Sequence, residues 1–145
     1  MIEASMAEKN LVEKVIALEG VELLKNLNPD QLARIASIAK EVHFPPGKVI
    51  MEPGKATEAL YVVLEGEVGI EQKDSPLTAA RINDVIGAWA LFDPEPMPLT
   101  AKTLDDVTLL RIARDDFYDL LSDNMEITAA IFTTMVKRFR QLMEQ

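Results

Sequence analysis

The chain has 145 residues, no cysteine and a formal net charge of −9, from 24 acidic and 15 basic side chains. That length suits one domain with a core of adequate size, and the lack of cysteine excludes a disulfide framework and thiolate chemistry. The acidic excess argues against a nucleic-acid partner, because phosphate backbones favour clustered Lys and Arg. The longest apolar run, residues 59–64, is far shorter than the roughly 18 residues of a membrane span, and the polar start MIEASMAEKN predicts no secretory signal. We therefore expect one cytoplasmic domain with no membrane span.

A helical region, residues 8–40, is predicted to follow a flexible tail, residues 1–7. Its apolar residues recur at helical spacing and include Leu11, Val15 and Leu18. The segment Asn28-Pro29-Asp30-Gln31 is typical of a helix start, with an asparagine cap, a proline at the first helical position and a glutamine at the third. Two N-terminal helices are therefore expected.

The pattern changes to short β segments in residues 41–112, with Gly and Pro between them. The expected strands are residues 41–44, 48–51, 60–64, 68–71, 77–82, 99–104 and 107–112. Short strands at regular spacing are typical of a sandwich, barrel or jelly roll. Residues 113–145 return to helical spacing, first in a short amphipathic piece and then in a long helix, residues 125–143. The predicted fold class is therefore mainly β, a β-roll or jelly roll (double-stranded β-helix) with N-terminal and C-terminal helices.

The stretch from Gly87 to Thr100, GAWALFDPEPMPLT, resembles the phosphate-binding cassette of cyclic nucleotide-binding domains, Gly-Glu-x-Ala-Leu…Pro-Arg-Ala/Ser-Ala-Thr. The positions in register are Gly87, Ala90, Leu91, Pro96 and Thr100. Four other segments resemble the same family in the same order: FPPGKVI, the hairpin around EPG and LYVVLEGEV, DVIG, and IARDDF. The resemblance covers roughly residues 21–140 and implies the family's β-roll, in a single domain over residues 8–145 with the cassette at 87–100.

The positions that contact the ligand in that family differ here. In the family, the cassette glutamate binds the ribose 2′-hydroxyl, the arginine pairs with the cyclic phosphate, and the next residue donates its backbone N–H to the phosphate. The matching residues are Ala88, Met97 and Pro98. Alanine cannot accept the ribose proton, methionine has neither charge nor donor, and proline has no N–H. The resemblance therefore implies a degenerate ligand site, which argues against a cyclic nucleotide as a partner. The candidate pocket positions are Gly87, Ala88, Trp89, Ala90, Met97, Pro98, Leu99 and Thr100.

Other polar and aromatic residues have alternative interpretations. Trp89 either fills the pocket, stacks on a planar ligand, or anchors the cassette helix to the roll. Arg81 and Lys102 are the cations nearest to the cassette in sequence, and we expect both to be solvated strand residues. His43 is the sole histidine, which excludes a histidine-rich metal site, and we expect no Ser-His-Asp triad. The sequence therefore predicts no enzyme, no metal and no cofactor.

The long C-terminal helix carries apolar residues at the spacing of a coiled coil. They recur at +3, +4, +3 and +4 and are Ala129, Phe132, Val136, Phe139 and Met143. Only about two heptads are present, below the three or four that define a coiled coil. The helix therefore either packs wholly on its own domain or contacts a protein partner, including a second copy of the chain.

These observations favour a non-enzymatic regulatory or interaction module that has lost ordinary binding of cyclic AMP and cyclic GMP. We expect it to work through its terminal helices. The alternative is a small-molecule sensor that binds a cyclic nucleotide or another ligand in an altered pocket. A DNA-binding regulator of the catabolite-activator type is a third hypothesis, and its helix-turn-helix would follow the long helix.

Overall fold

The computed structural model describes residues 9–73, 75–88, 93, 95–96 and 98–144. The predicted tail, residues 1–7, lies outside this range. The helices are α1 (Leu11–Glu19), a 3₁₀ turn (Glu22–Leu24), α2 (Pro29–Ile38), α3 (Arg114–Asp123) and α4 (Met125–Met143). The strands are β1 (Ala39–Phe44), β2 (Val49–Met51), β3 (Ala59–Glu65), β4 (Val68–Gln72), β5 (Ser75–Ala80), β6 (Val85–Ile86), β7 (Thr100–Thr103) and β8 (Val107–Ala113).

Both N-terminal helices begin with reciprocal caps. The predicted start of α2 is confirmed, because Gln31 N–H donates to Asn28 Oδ1 and Asn28 N–H donates to Gln31 Oε1, each at 2.9 Å. The start of α1 uses the same device between Asn10 and Glu13, which the spacing of apolar residues does not reveal. Each cap satisfies backbone donors that have no partner within the helix.

The described strands form two antiparallel four-stranded sheets, in the orders β1-β8-β3-β6 and β2-β7-β4-β5. Successive side chains of the central strands point to opposite faces of the first sheet, and this divides the core into two clusters. In β3, Leu60 and Val62 belong to a cluster shared with the helices, whereas Val63 belongs to a second cluster between the sheets. In β8, Leu110 faces the helices and Leu109 faces the other sheet. The mainly β fold with flanking helices is therefore confirmed.

Several element boundaries differ from the sequence prediction. Strand β1 begins at Ala39, which pairs with Ile112, although residues 39 and 40 were predicted to be helical. The two-residue strand β6 was not predicted, because it is too short to show an alternating pattern and depends on pairing with β3. Ile82 was predicted to lie in a strand, but it lies in a turn and is 64% exposed. Pairing partners decide these ends, since apolarity alone does not distinguish a strand end from a turn.

Helix α4 is attached to the domain by one face. Ile127 and Ile131 are buried in the helix-side cluster, and Asn26 Nδ2 donates to Thr134 Oγ1 at 2.6 Å. Arg34 also donates to the side chain of Asn124, which immediately precedes the helix. None of the helices in the described part of the chain has the length and apolarity that a bilayer crossing requires.

Candidate functional site

The predicted cassette begins at a glycine that the fold requires. Gly87 is buried and has φ of +82°, in the left-handed region. A Cβ at this position would lie 3.1 Å from the carbonyl oxygen of Ala59 and 3.4 Å from Cγ2 of Thr57. The glycine therefore permits a close approach between the end of β6 and the start of β3.

The cassette borders a cavity of about 560 Å³ between the second sheet, β6 and the helices. Ala88 and Leu99, one from each end of the cassette, both line it, so the fold brings together positions eleven residues apart in sequence. The walls are mainly apolar and include Leu23, Ile70, Leu77, Ala79, Ala80, Val85 and Ile86. Ala88, which the sequence resemblance matches to the family's ribose-binding glutamate, presents a methyl group to the cavity.

Charged groups also line this cavity, and they come from distant elements. Arg138 of α4 and Glu22 of the 3₁₀ turn both contribute to its wall. The hydrogen bond and charge of Lys25 lower the pKa of Glu22 below its ordinary value, and the Arg138 guanidinium acts in the same direction. Asp84 also lines the cavity, but its Oδ2 already accepts the Arg81 N–H at 2.9 Å. Among the lining residues, the cation is Arg138 of the C-terminal helix.

Sequence reasoning missed Arg138 and Glu22 as cavity residues. Arg138 lies 39 residues beyond Leu99 and Glu22 lies 66 residues before Ala88. No local motif marks either residue, because only the packing of α4 beside the 3₁₀ turn brings them to the roll. One signal could have suggested Arg138: the long helix was expected to pack on its own domain, and it carries cations among its polar residues.

The other cassette positions are divided between the described and undescribed residues. Trp89, Ala90 and Met97 lie outside the described residues. Pro98 is exposed, and Thr100 is half-buried at the start of β7, where it pairs with Glu71.

The two cations that lie closest to the cassette in sequence do not line the cavity. Arg81 is exposed, and its Nε donates to Glu67 Oε2 at 3.1 Å. Lys102 is exposed in the middle of β7. Both are exposed as expected, but only Lys102 is a strand residue, because β5 ends at Ala80 and Arg81 lies just beyond it.

His43 takes part in a structural hydrogen-bond network on β1. Its Nδ1 lies 3.0 Å from Thr108 Oγ1, and its Nε2 lies 3.0 Å from Glu41 Oε2. Glu41 and Thr108 are buried, and Glu41 Oε1 also accepts the backbone N–H of Lys9 at 3.1 Å. This network ties β1 to β8 and to the segment that precedes α1. Among the described residues, no group of three or more His, Asp or Glu is placed to hold a metal ion.

The predicted apolar series on the last helix lies on its solvent-exposed side. We define the outer face of α4 as the exposed apolar residues Phe132, Met135, Val136, Phe139, Leu142 and Met143, which are 39–69% exposed. Ala129 is exposed as well. The inner face, with Ile127 and Ile131 at 1% and 3% exposure, is the one that packs on the domain. The helix therefore buries its inner face in the domain as far as Thr134, and every described residue of the helix beyond Thr134 is exposed.

Residues 41–124 match the cyclic nucleotide-binding domain family. This segment is more than half of the chain, so the chain belongs to that family. The cAMP-dependent protein kinase regulatory subunit of Aspergillus fumigatus is 35% identical over 106 residues, which cover 72% of this chain and 26% of that relative. The chain thus spans about a quarter of the length of this relative.

Solved structures share the fold. The N-terminal domain of a transcriptional regulator from Streptomyces coelicolor superimposes with a TM-score of 0.80 at 27% identity, over 87% of this chain and 94% of that one. The regulatory subunit of a cAMP-independent protein kinase A from Trypanosoma cruzi, bound to guanosine, has a TM-score of 0.72 at 21% identity, over 81% of this chain and 43% of that one. The kinase subunits and the transcriptional regulator are regulatory proteins by name.

Proposed function

We propose that this chain is a non-enzymatic regulatory or interaction module that does not bind cyclic AMP or cyclic GMP through the contacts of its family. The observation that carries the proposal is the methyl group of Ala88 at the cavity wall. It cannot accept a hydrogen bond from a ribose hydroxyl. At the two positions associated with phosphate binding, Met97 lacks a charge and Pro98 lacks an N–H.

The expected loss of affinity is large. A hydrogen bond to a charged group contributes about 1.5–3 kcal/mol. Losing two such bonds therefore weakens binding by roughly 10²- to 10⁴-fold. A site that bound a cyclic nucleotide in the micromolar range would then bind it outside the range of a cellular signal.

Thermal melting with added nucleotide tests this part of the proposal. A ligand at about 100 times its dissociation constant adds about 2.7 kcal/mol, which for a domain of this size raises Tm by roughly 9 °C. We expect no shift of the wild-type Tm with cyclic AMP or cyclic GMP, and a shift in the triple variant Ala88→Glu, Met97→Arg, Pro98→Ala. A saturable shift in the wild type with either nucleotide contradicts the proposal.

The working surface in this proposal is the outer face of α4. Exposed side chains as large as Phe132 and Phe139 are unusual at this density on one helix, and a contiguous apolar patch is typical of a protein-binding surface. Ile127 and Ile131 anchor the first half of the helix in the domain, and every described residue of the helix after Thr134 is exposed and so accessible to a partner. Either another protein or a second copy of the chain could cover it, and the self-association version is directly testable.

Light scattering behind size exclusion measures self-association over a range of protein concentrations. We expect the mass of the wild type to rise with concentration and Phe139→Glu to remain monomeric, because a charge on the outer face opposes its burial. Thr133→Glu, which adds the same charge at another exposed position of α4, is the matched control and should behave as the wild type does. A strictly monomeric wild type at high concentration refutes self-association.

A second candidate function is a sensor for a small molecule other than a cyclic nucleotide. The cavity of about 560 Å³ lies within the range of roughly 300–1,000 Å³ that small-molecule sites occupy. Its apolar walls suit a planar base, and the Trypanosoma cruzi neighbour, bound to guanosine, suggests a nucleoside without a phosphate as the ligand to test. Calorimetric titration with guanosine and adenosine supports this candidate if Ile70→Trp, which fills the cavity, abolishes the heat. No heat from the wild type with either nucleoside removes this candidate.

A further inference from the structure

A second group of polar side chains lies on the first sheet, away from the cavity described above. Arg111 of β8 pairs directly with Lys40 of β1 on one side and with Tyr61 of β3 on the other. Directly paired residues of antiparallel strands project from the same face. This face is turned towards the second sheet, because Leu109 belongs to the cluster between the sheets and Tyr61 packs against that cluster.

The charge of Arg111 has no protein partner in the described part of the chain. Arg111 is half-buried and Lys40 is exposed, yet the ion pairs among the described residues involve other cations, namely Lys25, His43, Lys55 and Arg81. A half-buried guanidinium loses part of its hydration and is stabilised by an anion that accepts its forked donors. The two directly paired cations also repel one another, which an anion between them would relieve.

Arg111 and Tyr61 line a cavity of about 280 Å³ that opens between β2, the loop after it and β3. Two carboxylates also line it. Glu52 is held by Lys55 at 2.8 Å, whereas Glu58 makes no ion pair with a described residue. The cavity shares no lining residue with the one that contains Ala88. The lining thus holds two cations, Lys55 and Arg111, and two carboxylates, and Lys40, which pairs with Arg111 in the sheet, adds a third cation beside the cavity.

We propose that Arg111, with the Tyr61 hydroxyl and the Lys40 ammonium, binds a phosphate group, either as inorganic phosphate or as a small phosphate monoester. A planar guanidinium donates two parallel hydrogen bonds to a phosphate, and the tyrosine hydroxyl can donate a third. A dianion is favoured over a carboxylate, because a second cation, Lys40, is the direct strand partner of Arg111. The volume of about 280 Å³ lies just below the usual range of small-molecule sites, which suits a ligand as small as phosphate or a small phosphate ester.

Titration of the full chain, followed by ¹⁵N–¹H correlation spectra, tests the site. The probes are potassium phosphate and phenyl phosphate, each compared with potassium chloride at equal ionic strength. We expect saturable shifts of the Lys40, Tyr61 and Arg111 amides with phosphate but not with chloride. Tighter binding of phenyl phosphate indicates an ester as the ligand, and tighter binding of inorganic phosphate indicates the free ion.

Variants separate a specific site from general attraction of anions. Arg111→Gln should weaken phosphate binding by at least about tenfold, because it removes charge-assisted hydrogen bonds, and Arg111→Lys should weaken it less. Arg81→Gln removes an exposed arginine at another place on the roll and should leave the affinity unchanged. The proposal is overturned if phosphate shifts the wild-type amides no more than chloride does, or if Arg111→Gln and Arg81→Gln lower the affinity equally. If Arg111→Gln does not fold, the wild-type titration and Arg111→Lys decide the matter.

Discussion

The two faces of α4 should differ sharply in what they contribute to stability, and a pair of truncations measures the difference. Ile131 on the inner face is 3% exposed and belongs to the helix-side cluster, whereas Val136 on the outer face is 54% exposed. Ile131→Ala and Val136→Ala both replace a β-branched apolar residue with alanine in the same helix. Their effects on helix propensity are therefore similar, and burial is the main variable.

Truncation of a buried isoleucine to alanine costs about 2–5 kcal/mol, from lost burial and the cavity that remains. The entropy of unfolding of a 145-residue domain is about 0.3 kcal/mol/K at its midpoint, so each kcal/mol lowers Tm by about 3 °C. Ile131→Ala should therefore lower Tm by roughly 7–16 °C. Val136→Ala should change the free energy of unfolding by no more than about 0.5 kcal/mol in dilute monomeric protein.

Urea denaturation at low protein concentration gives both free energies of unfolding, and a repeat at high concentration tests the outer face. If copies associate through that face, wild-type stability should rise with concentration, and Val136→Ala should reduce the rise. Equal destabilisation by the two variants at low concentration refutes the reasoning, since it means that the outer face packs within its own domain. A loss of less than about 1 kcal/mol in Ile131→Ala would contradict the burial argument itself.

Two further predictions concern local features. Gly66→Ala should destabilise the protein more than Gly47→Ala by about 1–3 kcal/mol in urea denaturation. Both glycines have φ above +80°, but a Cβ at Gly66 would lie 2.4 Å from a backbone oxygen, whereas a Cβ at Gly47 would have no atom within 4 Å. Equal losses of stability would contradict the steric account. Lys25→Gln should raise the pKa of Glu22 towards its ordinary value of 4.5 in an NMR carboxyl titration. Because the pKa of Glu22 is lowered in the folded state, this pair stabilises the fold above the unfolded pKa and loses that contribution as pH falls through the folded one; an unchanged pKa in the variant would contradict this assignment.

Much of the fold could be predicted from local patterns. The start of α2 at Asn28 and the full extent of α4 agree with the structure, because caps and helical spacing act within a few residues. The strand order could not be obtained this way. Strand β8 lies between β1 and β3, and such pairing depends on contacts between residues far apart in the chain.

The candidate site was predictable in part. The resemblance located Gly87, Ala88 and Leu99, and the structure places the latter two at one cavity. Arg138 at the same cavity and Arg111 at the other were not predicted. Arg138 lies in a helix and Arg111 in a strand, and the neighbouring sequence of each is ordinary for that element. Nothing in that sequence distinguishes either residue from a cation exposed to solvent.

Three properties of this protein follow from its sequence alone. The order of helices, β-roll and helices results from local spacing and turn residues, the family follows from motifs in a fixed order, and the proposed loss of the usual ligand contacts rests on the identities of Ala88, Met97 and Pro98. The tertiary structure decided which face of α4 is free and which cations reach the cavities. These depend on how helices and sheets pack, and burial is a property of the assembled chain, so no local pattern could determine them.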